Sequence, residues 1–327
     1  MAQAPLVKVA VVGVGYLGER HARIYSELPD VDLVAVVDLD LARGKQVAEQ
    51  YRCAFYVDLE PLFGSVDAVS VVVPTPAHYA VATRLLKRNI HLLLEKPITA
   101  TLQEADTLLA LAREQRAILQ VGHVEQFNPG IRHLKQHLSE VRFIECHRMA
   151  PFNERGAEVD VVLDLMVHDI EMVLSLISSP IVEISSAGTQ VLTQKIDIAN
   201  ARLIFENGSV ANLTASRVSQ ERIRKMRIFQ KESYLSLNYM IPELTVCRSV
   251  RVAQDEKPVV FVETIQIAKE EPLKTELAAF VQSVRLRTPP QVGAREGRNA
   301  LAVTLQIVDL IKNRQATSIT VASGLMV

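Results

Sequence analysis

The segment Gly13-Val14-Gly15-Tyr16-Leu17-Gly18 constrains this chain more than any other. It lies between an unbroken apolar run, Val7 to Val12, and a stretch of helical patterning, Leu17 to Leu28. Three glycines at this spacing suit a strand that turns sharply into a helix. One serves the tight turn, one lets a pyrophosphate reach the backbone, and one allows close helix–strand packing. The helix start adds partial positive charge where phosphates would lie. Asp38 closes the next apolar run, Leu33 to Val37, twenty residues past Gly18. A carboxylate there accepts both ribose hydroxyls and repels a 2′-phosphate, favouring NAD over NADP. Arg43 lies near enough in sequence to keep NADP open. The bland alternative is a glycine-rich turn that binds no nucleotide.

Further apolar runs, Ala68 to Val73, His91 to Leu94 and Ile118 to Val121, alternate with helical stretches at Leu41 to Gln50, His78 to Lys87 and Leu102 to Gln115. Such alternation predicts a doubly wound parallel sheet covered on both faces, an α/β Rossmann domain over residues 1–122. Thr101 with Glu104 has the capping-box pattern, and Thr75-Pro76 reads as a cap followed by a first-turn proline. Beyond Gly122 the pattern changes. One apolar helix is expected from Val159 to Ile177. Strand-like segments follow near 181–191, 201–205, 209–216, 226–230, 233–238 and 259–268, with Asn207-Gly208 marking a hairpin. This predicts an α+β domain over 123–327, built on a large, open, mostly antiparallel sheet. A closing helix near 297–313 is expected to pack back on the first domain.

The bulk numbers exclude several classes. With 327 residues, 49% hydrophobic, and a net charge of −1, the chain is ordinary globular material with no electrostatic case for nucleic acid or an anionic membrane. No uninterrupted apolar run reaches membrane-spanning length. Cys53, Cys146 and Cys247 are odd in number and far apart, so neither a metal site nor a disulfide framework is expected. A reducing cytoplasm is the expected compartment, and no signal peptide is read at the N-terminus.

Two constellations carry candidate chemistry. Glu95-Lys96-Pro97 ends an apolar strand and presents an amine and a carboxylate at the sheet edge where open α/β folds bind ligands. A surface Glu–Lys pair is the alternative. Asp164 and His168, at i and i+4, share one face of the apolar helix. They read either as a satisfied structural pair or as a proton-transfer pair, a histidine oriented by an acid.

Together these residues resemble the Gfo/Idh/MocA family of oxidoreductases. The resemblance rests on the glycine loop, Pro74-Thr75-Pro76-Ala77-His78, Glu95-Lys96-Pro97, Gly122-His123-Val124-Glu125-Gln126-Phe127-Asn128-Pro129, Asp164-x-x-x-His168, and the closing Glu271-Pro272-Leu273 with Glu276-Leu277-x-x-Phe280. It implies a cis peptide before Pro97, NAD(P)-dependent oxidation or reduction of a sugar or cyclitol hydroxyl, and a dimer or tetramer formed through the open sheet face. It assigns Lys96, His168 and Asp164 as catalytic. It gives the cofactor Gly13, Gly15, Tyr16, Leu17, Gly18, Asp38, Thr75, Pro76, His78, Glu95, Lys96 and Pro97. For the substrate the candidates are Lys96, His123, Gln126, Phe127, Asn128, Arg148, Arg155, Asp164, His168 and Arg217. The arginines read as diphosphate ligands, and for Arg217 and the basic residues after it the alternative is a solvated strand face or an oligomer contact. No metal is implied. Gln126 departs from the arginine that relatives often carry before Phe-Asn-Pro. The stretches 122–129, 164–169 and 216–219 resemble the branch that oxidises C3 of UDP-N-acetylglucosamine for amino-sugar synthesis. A UDP-uronic acid, a free sugar or an inositol are the alternative substrates. A non-catalytic dinucleotide sensor is the alternative of another class, disfavoured by the presence of Lys96, Asp164 and His168.

Overall fold

The computed structural model describes residues 5–154, 156–241, 243–250 and 259–316. The chain divides into two units, Met1–Pro129 with Lys269–Leu301, and Gly130–Ala268 with Ala302–Val327. The segment from Lys269 to Leu301 thus belongs with the first unit.

In the first unit, β1 (Val7–Val12), α1 (Tyr16–Glu27), β2 (Val31–Val37), α2 (Leu41–Tyr51), β3 (Ala54–Tyr56), β4 (Ala68–Val71), α3 (Thr75–Leu86), β5 (His91–Glu95), α4 (Leu102–Glu114) and β6 (Leu119–Gly122) follow one another. Six parallel strands make one sheet in the order β3-β2-β1-β4-β5-β6. Every residue of β4, β5 and β6 is buried. Cover on both faces explains why these sequences are continuous apolar runs and do not alternate. The order reverses between β1 and β4. The loops after those two strands diverge there and leave the crevice in which such sheets take ligands. β3 went unforeseen because it is three half-buried edge residues with no apolar run to detect.

The capping box forms at α4. The Glu104 amide donates to Thr101 Oγ1 at 3.3 Å, and the Thr101 amide donates to Glu104 Oε2 at 3.1 Å. Thr75 does not cap α3. Pro74 occupies that position with extended backbone, and Thr75 and Pro76 already lie in the first turn. The fixed φ of Pro74 turns the chain one residue earlier than the Thr-Pro pattern suggested.

The second unit contains α5 (Pro129–Gln136), β7 (Val141–Met149), α6 (Val167–Leu176), β8 (Ile181–Thr189), β9 (Ile198–Phe205), β10 (Val210–Ser216), β11 (Ile223–Gln230), β12 (Ser233–Asn238), β13 (Glu243–Val250) and β14 (Val259–Gln266). Its eight-stranded sheet runs β14-β13-β12-β11-β7-β10-β9-β8, antiparallel except for the β7–β10 pair. Gly208, at φ +81°, closes the β9–β10 hairpin, and its amide bonds the Phe205 carbonyl at 2.9 Å. The core lies on one face. Alternate strand residues such as Ile144, Leu203, Leu213, Ile228 and Leu235 meet Met166, Ile170 and Val173 there. Phe143, Phe229 and Tyr234 stack in a row elsewhere on β7, β11 and β12.

The long helix expected from Val159 begins instead as a π-turn, Val162–Met166, that continues into α6. Buried Asp160 anchors this start. Its Oδ1 accepts the Ile196 amide at 3.0 Å, and its carbonyl accepts the amides of Leu163 and Asp164. A π-turn inserts a residue without changing apolar periodicity, so sequence pattern does not report it. The chain closes with α7 (Pro272–Leu286) and α8 (Ala294–Ala316). The start of α8 belongs to the first unit, where Arg298 bonds Asp106 of α4 and Gly297 abuts Val121 of β6. Its later residues Ile307, Val308 and Ile311 join the core of the second.

Candidate active site

The glycine loop has the form its sequence demands. Gly13 sits at φ +85°, and a Cβ there would come within 2.7 Å of the Val72 carbonyl oxygen. At Gly18 a Cβ would meet the Gly13 oxygen at 1.8 Å, so α1 packs on the loop at a distance only glycine allows. At Gly15 a Cβ would meet nothing within 4 Å, and the residue is exposed. The space over Gly15, at the N-terminus of α1, is the opening a pyrophosphate requires. Asp38 fixes the loop. Its Oδ2 accepts the Val14 amide at 2.7 Å and its Oδ1 the Asp40 amide at 2.9 Å. Arg43 is committed beside it, through Nε to the Val14 carbonyl at 3.0 Å and through Nη2 to Glu19. Those bonds leave it less free to take up a 2′-phosphate. Tyr16 is 59% exposed, with Arg20 stacked over its ring, and Leu17 is half-buried. These residues fit a dinucleotide.

At the carboxyl end of β5, Glu95 is buried and Lys96 half-buried, and the Lys96–Pro97 peptide is cis. Gly122 of β6 makes room for the carboxylate, since a Cβ there would come within 2.8 Å of Glu95 Oε1. Burial alone would raise the Glu95 pKa. His21 Nε2, 3.4 Å from Oε1, and the charge of Lys96 outweigh burial and hold it below its ordinary value. Glu95 Oε2 also accepts the Lys96 amide at 3.2 Å. His21, fully buried on α1, had no role in the sequence reading. The available signal was its place on the helix face that also carries Ala22, Ile24 and Tyr25.

Of the other candidates in this unit, His78, His123, Gln126 and Phe127 are buried. His78 is buried, and its ring nitrogens sit 2.9 Å from the carbonyl oxygens of Val73 and Pro97. It ties the turn after β4 to the turn after β5, with burial lowering its pKa. Thr75 is half-buried and Pro76 exposed at the start of α3. His123, Gln126 and Phe127 are buried around a short 3₁₀ turn, while Asn128 is partly exposed. Burial, then the Lys96 charge, holds His123 down at about 4, so its ring is neutral near pH 7.

In the second unit, Asp164 lies in the π-turn against Gly156, whose Cβ position is 2.9 Å from Asp164 Oδ2. His168 follows in the first turn of α6, and both are half-buried. The arginines proposed for a diphosphate have other occupations. Arg148 is buried and grips Asp169 with two bonds, at 2.9 and 2.8 Å. Arg217 is buried and donates to the carbonyls of Gly156 and Val159, with Asp197 at 3.8 Å. Asp197 accepts the amides of Val191, Leu192 and Thr193. Those bonds outweigh burial and take its pKa down to about 2. Arg217 therefore organises the loop against which Asp164 sits. Arg155 lies outside the described residues.

Two family models match the chain. "Oxidoreductase family, NAD-binding Rossmann fold" covers residues 7–123, and "GFO/IDH/MocA C-terminal domain" covers 133–235. A UDP-N-acetylglucosamine 3-dehydrogenase of Acidithiobacillus ferrooxidans is 35% identical over 92% of this chain and 96% of its own length. A solved structure of that enzyme superposes with a TM-score of 0.89 at 34% identity, covering 94% of this chain and 97% of the other. The scyllo-inositol 2-dehydrogenase (NAD(+)) of Bacillus subtilis is 26% identical over 65% of this chain and 68% of its own. Levoglucosan dehydrogenase in complex with NADH shares the fold, at a TM-score of 0.84 and 13% identity over 94% of this chain and 97% of its own.

Proposed function

This chain belongs to the Gfo/Idh/MocA family of NAD-binding oxidoreductases, and from that premise we propose that it oxidises C3 of UDP-N-acetylglucosamine to the 3-keto sugar nucleotide. The observation that carries the substrate is the 35% identity to a UDP-N-acetylglucosamine 3-dehydrogenase along nearly the whole of both chains. NAD supplies the hydride acceptor. Gly13, Gly15, Gly18 and the first amides of α1 hold its pyrophosphate, and Asp38 holds its ribose. Leu39, 89% exposed beside Asp38, offers an apolar surface for the adenine. Tyr16, Leu17, Thr75, Pro76 and Pro97 wall the site, while His78 positions the two turns.

Lys96 donates a hydrogen bond to the reacting oxygen and stabilises charge that grows in the transition state. Glu95 lies ionised beside it. His168 takes the hydroxyl proton with Asp164 holding its ring. His123, Gln126, Phe127 and Asn128 shape the substrate side, and Arg148 and Arg217 do so from within the fold. The 3-keto product suits a transaminase of amino-sugar synthesis for lipid A or surface polysaccharide. The protein works in the cytoplasm as a dimer or tetramer. The Phe143, Phe229 and Tyr234 row and the exposed Val259, Val260, Phe261 and Val262 of β14 support an oligomer contact. Among the described residues no helix is long and apolar enough to cross a membrane.

The test is NADH formation from NAD with UDP-N-acetylglucosamine, its uronic acid and free inositols, with mass analysis of the product. The reading requires turnover on UDP-N-acetylglucosamine and a loss of at least about a hundredfold in Lys96→Ala with NAD affinity kept. Turnover on inositols alone, or near wild-type turnover in Lys96→Ala, refutes it.

A further inference from the structure

One cavity of the first unit lies away from Lys96, beside the amino ends of β5 and β6. It has a volume of about 630 Å³ and is lined by Arg113, Arg116, Ile118, Arg287, Arg295 and the first turn of α8. Neither Arg113 nor Arg116 has an ion-pair or hydrogen-bond partner for its side chain among the described residues, and both are exposed. Arg295 pairs with Glu296, which also accepts the Gly293 amide at 3.0 Å, so the one carboxylate lining the cavity is already engaged. Arg113, Arg116 and Arg287, with a helix N-terminus, thus line one concavity and have no carboxylate partner among the described residues.

A buried histidine behind two of the lining residues, Ile118 and Arg287, also lacks an acceptor. His91, the first residue of β5, is 1% exposed, and its Nδ1 is 2.9 Å from the Ile118 amide nitrogen. That amide is a donor, so Nδ1 carries the lone pair. Burial, then the charge of Arg287, holds the ring at about 4 with Asp67 pulling the other way, so His91 is neutral near pH 7. A neutral imidazole with an accepting Nδ1 has its proton on Nε2. Nε2 faces Arg287 Nη1. Two donors therefore confront each other. The other tautomer only moves the conflict to the Ile118 amide, whose burial without a partner costs more than sparing one of five guanidinium donors. An acceptor that takes the place of Arg287 Nη1 at Nε2, and is itself held by the displaced guanidinium, resolves it.

We propose that this cavity binds a small-molecule oxyanion of two or more charges, phosphate or polycarboxylate, held by Arg113, Arg116 and Arg287 with His91 Nε2–H as the buried donor. Guanidinium forks match either oxyanion in bidentate fashion. The cavity opens at the end of β5 opposite the Glu95–Lys96 turn, about five residues or roughly 15 Å along the strand, so it is a separate site.

The experiment is isothermal titration of the full-length protein, saturated with NAD so that the glycine loop is occupied. Pyrophosphate and citrate are the probes at constant ionic strength, with chloride as the control. Saturable binding of at least one probe is expected, and the stronger probe identifies the oxyanion class. Arg113→Ala/Arg116→Ala, which removes two exposed side chains without partners, should weaken it by about tenfold or more and leave NAD affinity unchanged. His91→Phe should weaken it with all arginines in place, which distinguishes a built site from diffuse positive charge. Binding no stronger than chloride, or an isotherm unmoved by the double variant, overturns the proposal.

Discussion

A methyl group added at residue 18 would stand 1.8 Å from the Gly13 carbonyl oxygen. Backbone is the obstacle, so the helix must move, and Gly18→Ala should cost stability on the overpacking scale of about 1–3 kcal/mol and weaken NAD binding. Denaturant melts and NAD titration check both effects. Gly15→Ala makes the contrast. A Cβ there meets no protein atom, so stability should hold while affinity falls. Equal stability losses at both positions would contradict this. Asp38→Ser should relax discrimination against NADP, read as the ratio of kcat/KM for the two cofactors. The Val14 amide also loses its carboxylate partner, so NAD binding should weaken in the same variant. For Arg148, burial decides between two roles. Its paired bonds to Asp169 lie out of water, and breaking such a pair leaves an uncompensated charge worth about 3–5 kcal/mol. Arg148→Ala should therefore show first as lost stability in urea. A variant with unchanged stability and a raised substrate KM would restore the diphosphate role.

Elements were legible where one physical cause dominates. The fully buried strands β4 to β6 and the amphipathic helices between them follow directly from apolar pattern, and so does the Thr101–Glu104 cap. Thr101→Ala should cost about 1 kcal/mol, visible as a lowered thermal midpoint, because it strands the Glu104 amide. An unchanged midpoint would show that α4 is held by packing alone. Three kinds of feature escaped. β3 is too short to carry a pattern, and the π-turn at Val162–Met166 leaves periodicity unchanged. β7 and β13 mix polar and apolar residues because they lie in a sheet with one core face, so neither gives the continuous run that marks the first unit. In the candidate site, the form of the glycine turn and the strand end at Glu95-Lys96-Pro97 were legible because their pattern is local in sequence. The partnership of Arg148 with Asp169, 21 residues away, and of Glu95 with His21 arises only when elements pack.

On the scale of the whole molecule, the titrating groups sort by unit. His91 and His123, both held near 4, belong to the first unit. Unfolding returns each to about 6.5, so between those values the unfolded chain binds protons that the native chain does not. Their contribution is fully present above about pH 6.5 and is lost as pH falls toward 4, up to roughly 3 kcal/mol for each ring. Asp197, at about 2, belongs to the second unit. Its contribution is present above about 3.8 and is lost only as pH falls through 2. Acid should therefore weaken the first unit before the second. Segment-resolved hydrogen exchange at pH 7, 5 and 4, corrected for intrinsic exchange rates, measures the order directly. Protection in β1, β4 and β5 should decline between pH 6.5 and 4 while β9 and β10 keep theirs. His91→Gln should reduce that early loss without touching β9 and β10, because the glutamine oxygen can still accept the Ile118 amide and carries no proton to gain. Simultaneous loss in both units, or a first unit whose protection is flat across this window, would show that the buried histidines do not govern acid stability.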